Sequence, residues 1–78
     1  MYRRIEKDLT AKGYDCMVYD NSLYAEKGLF IAIISKEQHS VYRVECIDSG
    51  NDIHFVSRVN YSVNVVRCIE EQRIYFVL

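Results

Sequence analysis

Three hydrophobic spacings succeed one another along this 78-residue chain and divide it into elements. At the N-terminus Tyr2, Ile5 and Leu9 recur three and four residues apart, while Arg3, Arg4, Lys7 and Asp8 take the positions between. That spacing puts the apolar side chains on one face of a helix. Gly13 follows as a natural stop, because glycine enters the left-handed region without steric cost. Residues 14–19 (Tyr-Asp-Cys-Met-Val-Tyr) then read as a strand, Asp20-Asn21-Ser22 as a turn, and residues 23–26 as a short strand closed by Lys27-Gly28.

The second spacing is no spacing at all. Leu29-Phe30-Ile31-Ala32-Ile33-Ile34 is apolar at every position. In a strand such a run points three apolar side chains to each face, whereas a sheet with one wet face alternates. Residues 29–34 are therefore expected near the sheet centre with both faces covered, by helices, a second subunit or a partner. A polar loop is expected over residues 36–40.

True alternation appears next. Residues 41–47 and 53–59 form the clearest hairpin, joined by Asp48-Ser49-Gly50-Asn51-Asp52. With Gly50-Asn51 as a two-residue turn, Cys46 faces Phe55, Val44 faces Ser57 and Tyr42 faces Val59. The other face then pairs Ile47 with His54, Glu45 with Val56 and Arg43 with Arg58. Two arginines opposite each other are unfavourable unless a carboxylate or another anion sits between them. A turn at Asn51-Asp52 would instead pair Glu45 with Arg58; turn chemistry favours the first register.

Residues 62–72 admit two readings. As a helix, Ser62 caps it and Val65, Val66 and Ile69 share a face. As a strand, the β-branched Val63, Val65 and Val66 fit, but the turn at Glu70-Glu71-Gln72 would lack Gly, Asn and Pro. The helix is preferred. Residues 74–78 (Ile-Tyr-Phe-Val-Leu) read as a closing strand tied into the sheet. The order predicts one compact α+β domain over residues 1–78. It has an antiparallel sheet of four to six strands, an N-terminal helix and a second helix before a C-terminal strand.

Composition narrows the function classes. Half the residues are apolar and 27% are charged, an ordinary globular balance. Eleven acidic and ten basic residues leave a net charge of −1, which argues against non-specific phosphate binding. Cys16, Cys46 and Cys68 are odd in number and widely spaced, so buried free thiols in a reducing cytoplasm are expected rather than disulfides or a zinc site. The N-terminus turns amphipathic at once and does not read as a signal peptide. Nothing approaches the roughly 20 apolar residues of a membrane span.

Candidate chemistry is sparse. Cys46 and His54 sit on neighbouring strands, but the preferred register points them to opposite faces and buries the thiol, which would leave it inert. His39 lies in a polar segment without a second ligand at metal spacing. Asp48, Asp52 and Glu45 lack the ligand pattern of a calcium loop and read as turn chemistry. Arg3, Arg4 and Lys7 are interleaved with Glu6 and Asp8 on one helix face. No catalytic residue, cofactor or metal is implied.

Seven tyrosines and no tryptophan point elsewhere, because Tyr and Arg are enriched where proteins meet proteins. Tyr42 is expected in the core. Arg43, Glu45, His54 and Arg58, with Tyr19 and Tyr75, form the expected partner-binding set. The chain is accordingly expected to be a small non-enzymatic protein-binding module that occludes or bridges a larger complex. Phage and mobile-element inhibitors of bacterial defence systems are an example, and homodimerisation is open. The alternative is a nucleic-acid-binding domain that stacks bases on sheet tyrosines and holds phosphates with Arg43 and Arg58.

Overall fold

A computed structural model of the protein describes the backbone of residues 2–77 and the side chains of residues 2–74. Helix α1 (Arg3–Ala11) leads into strands β1 (Asp15–Tyr19), β2 (Ser22–Lys27), β3 (Phe30–Gln38), β4 (Val41–Asp48) and β5 (Ile53–Asn60), followed by helix α2 (Ser62–Val77). The five strands form one antiparallel sheet in chain order, each paired with its sequence neighbour. The α+β class and N-terminal helix therefore stand as expected.

Turn chemistry explains the meander. Asp20 and Asn21, with φ of 50° and 65°, make a two-residue turn whose twist suits a hairpin. Gly28 (φ 63°) and Ser40 (φ 63°) supply the left-handed residue in the next two connections. At the end of α1 the Tyr14 N–H reaches the Leu9 carbonyl at 3.1 Å and the Gly13 N–H reaches Thr10 at 3.0 Å, with Gly13 at φ 94°. This is the glycine stop the sequence suggests.

Both helices pack on the same face of the sheet, α1 over β1 and β2, α2 over β4 and β5, and they touch each other. Beneath them Leu23, Ala25, Phe30, Ala32, Ile34, Tyr42, Val44 and Cys46 are buried against Tyr2, Ile5, Leu9, Val65 and Ile69. The β4–β5 register is the preferred one, with Cys46 opposite Phe55, Arg43 opposite Arg58 and Ile47 opposite His54. The turn differs. Pairing ends at Asp48 opposite Ile53, so residues 49–52 form a four-residue loop whose positive φ falls on Asp52 (56°). A Cβ at Gly50 would stand 2.8 Å from Leu29 Cδ1, the tip of an exposed side chain that can swing aside, so the loop does not depend on glycine there.

Three expectations need correction. The segment after Gln72 is not a strand: α2 continues to Val77, because no turn residue interrupts the chain between 70 and 77. The polar stretch over 36–40 is mostly strand, with β3 extending to Gln38 through a bulge between Lys36 and Gln38. Finally, the apolar run is covered by the chain on one face only. Phe30, Ala32 and Ile34 are buried under the helices, Ile31 and Ile33 are half-buried on the opposite face, and Leu29 lies in a turn.

Candidate functional site: the open face of the sheet

Since both helices lie on one face, strand alternation assigns the other face residue by residue. Reading across the sheet from β1 to β5, one row is Asp15, Glu26, Ile31, Ile47 and His54. The next is Met17, Tyr24, Ile33, Glu45 and Val56, and the third is Tyr19, Ser22, Ser35, Arg43 and Arg58. An apolar band of Met17, Tyr24, Ile31, Ile33, Ile47 and Val56 thus crosses the face. Met17 is 61% exposed and Val56 46%. Tyr19 and Tyr24 meet edge to face at 6.4 Å, an arrangement aromatic quadrupoles favour.

The charged corner on β4 and β5 resolves the repulsion between Arg43 and Arg58. Glu37, on this side by strand alternation with Ile33 and Ser35, accepts from Arg58 Nε at 2.7 Å and from Nη2 at 3.5 Å. Glu45 accepts from Arg43 Nη1 at 3.1 Å and bonds His54 Nε2 at 2.5 Å. The hydrogen bond from Arg58 holds the Glu37 carboxyl below its ordinary range. Burial alone would raise Glu45, but the bonds from His54 and Arg43 outweigh it and the net direction is down. Both arginines are therefore already paired within the molecule.

The opposite corner is different. Asp15 and Glu26 stand directly across from each other on β1 and β2, both exposed. Among the described residues neither carboxylate has a cation or a hydrogen-bond donor. Like charges directly opposed in a sheet are unfavourable, so this pair is an unbalanced acidic feature beside the apolar band.

The structure places Arg43, Glu45, His54, Arg58 and Tyr19 of the expected set on this single face. Tyr75 belongs to α2 rather than to a strand, and its side chain lies outside the described residues. Sequence reasoning missed Asp15, Glu26, Glu37 and the apolar band. Alternation of Met17 with Tyr19 and of Ile31 with Ile33 was the signal for the band, and Glu37 was hidden in a segment read as loop. Two tyrosines also proved to be structural. Tyr2 is buried, its hydroxyl donating to the Asn21 carbonyl (2.7 Å) and accepting from the Lys36 N–H (2.9 Å). Tyr14 is buried and donates to Glu70 Oε2 at 2.9 Å, and burial together with that carboxylate raises its pKa.

Cys46 and His54 point to opposite faces, and burial pushes the Cys46 thiol up to about 12. A thiol so placed is protonated at neutral pH and has no access to the imidazole. Among the described residues no group of three His, Cys, Asp or Glu side chains is arranged to hold a metal ion. No helix among them is long and apolar enough to cross a membrane. The chain matches no family model, no curated protein and no solved structure.

Proposed function

We propose that this chain is a non-enzymatic protein-binding module that docks its open sheet face onto a partner with an apolar centre and a basic rim. The observation that carries this reading is the apolar band around Ile33, left uncovered by both helices and flanked by the unbalanced Asp15–Glu26 pair. Apolar area supplies affinity in such contacts, while complementary charge supplies orientation and rate. A module of this kind acts by occluding or bridging a larger assembly, the mode of an inhibitor or adaptor, including those of phages and mobile elements.

The same geometry weighs against nucleic acid as the partner. Arg43 and Arg58 are committed to Glu45 and Glu37, and the charge left without a counterpart on this face is negative. Phosphate binding needs the reverse. The test is affinity capture from the native host with the native chain and with Ile33→Asp, the captured proteins being identified by mass spectrometry. A protein retained by the native chain and lost with the correctly folded variant supports the reading. A partner indifferent to Ile33→Asp, or retention of nucleic acid that weakens with salt, refutes it.

A further inference from the structure

Strand β1 ends the sheet, so its outer N–H and C=O groups face away from β2. Folded proteins usually blunt such an edge with lysine, proline, a bulge or charges on the strand. The opposite edge has such protection, since β5 carries His54 and Arg58. Strand β1 carries a single charge, Asp15 at its first position, and beyond it presents Met17, Val18 and Tyr19, three consecutive large side chains that are 53–65% exposed and alternate between the two faces. Val18 points to the helix side, where it lines a groove of about 230 Å³ with Tyr2, Arg3, Glu6 and Asn21.

We propose that β1 pairs antiparallel with β1 of a second copy about a twofold axis at Met17, joining two five-stranded sheets into one of ten. Chain geometry selects this axis. Antiparallel pairing about Met17 opposes Cys16 to Val18 of the second copy and Asp15 to its Tyr19, so all five residues of the strand are used and like charges do not meet.

Charge complementarity on the helix side agrees. Helix α1 runs opposite to β1: Tyr2 bonds Asn21 beyond the Tyr19 end, and the Cys16 sulfur lies 3.9 Å from the Glu6 carbonyl. Glu6 therefore stands over Cys16, and Arg3, about one turn earlier, stands toward Val18. An axis at Met17 exchanges the Cys16 and Val18 positions, which brings Arg3 of each copy to Glu6 of the other. These are two equivalent ion pairs, as an isologous contact requires. Val18, left at the groove's edge in one copy, is covered against Cys16 of the other. The contact leaves both open faces free on the same side of the joined sheet.

The test combines light scattering with two sets of variants of the full chain. In Met17→Cys the two introduced thiols face each other across the axis. Directly opposed strand residues have Cα atoms about 4.5–5.5 Å apart, within the range of a disulfide. Mild oxidation should give a dimer linked through position 17, located by peptide mapping, whereas Tyr19→Cys should not link through position 19. Arg3→Glu and Glu6→Arg should each weaken dimerisation about tenfold, and the double exchange should return it to within about threefold of the native chain. Ile33→Asp should leave the dimer intact, which separates this contact from docking on the open face. A monomer at the highest soluble concentration overturns the proposal. So does a dimer that does not link through position 17, or one that ignores the charge reversals.

Discussion

Removing the Tyr2 hydroxyl isolates one structural device of the fold. Pairing between β2 and β3 ends at Ser22 opposite Ser35, so the Lys36 N–H points past the end of β2 and has no strand partner there. The Tyr2 oxygen takes the place of the missing strand, accepting from Lys36 at 2.9 Å while donating to Asn21 at 2.7 Å. Tyr2→Phe keeps the ring and its packing, so no cavity opens. It deletes two hydrogen bonds, each contributing about 0.5–1.5 kcal/mol, and leaves a partly buried N–H and C=O unsatisfied. The expected loss is about 2 kcal/mol. For a domain of this size that lowers the melting temperature by about 8–16 °C. Thermal and urea unfolding followed by circular dichroism at matched protein concentration would measure it. Tyr61→Phe, at an exposed position, serves as the control and should shift the midpoint by less than about 0.5 kcal/mol. A Tyr2→Phe midpoint within about 3 °C of native, or equal to that control, would refute the account.

Ile69 is fully buried between α2 and the sheet, so Ile69→Val should cost about 0.5–1.5 kcal/mol and Ile69→Ala about 2–5 kcal/mol, measured by urea unfolding. The Glu45 carboxyl is held low in the folded state, so the unfolded chain binds its proton first as pH falls. That contribution is complete above the ordinary carboxylate pKa of about 4.3 and is lost on going lower. Glu45→Gln should flatten this acid limb, and an unchanged pH profile of stability would contradict the pairing. Arg58→Ala removes an exposed pair with Glu37 and should change stability by less than about 1 kcal/mol, whatever it does to partner binding. With its thiol raised to about 12 by burial, Cys46 should resist alkylation in the native protein while Cys16 reacts ahead of it, as peptide mapping after brief iodoacetamide treatment would show.

Helix α1 and the β4–β5 register were legible because apolar spacing and the Gly50-Asn51 centre agree on one solution. A slip by one residue would have turned Tyr42, Val44 and Cys46 out of the core. The opposed Arg43 and Arg58 even announced the carboxylates they required. What could not be read is equally specific. Residues 74–77 carry strand-forming side chains, yet they continue α2 because helix already begun needs only one more hydrogen bond per residue to extend. Glu37 looked like loop because residues 35–38 bury little and so show no periodicity. The uncovered side of β3 was misjudged for a related reason. Ile31 and Ile33 are half-buried with strand neighbours such as Tyr24, Ile47 and Glu45 beside them and no helix above, so an unbroken apolar run does not by itself demand a second layer.

The unbroken succession of hairpins has a kinetic consequence. Each strand finds its partner within a few residues of chain, so loop closure along the meander is entropically cheap and the topology has low contact order. The meeting of α1 with α2, beside the bond from Tyr14 to Glu70, is a closure that spans most of the chain. Hairpin assembly should therefore run ahead of the docking of the last helix. Mutations at Ile69 or Glu70 should then appear chiefly in the unfolding rate, and those in the β2–β3–β4 turns in the folding rate.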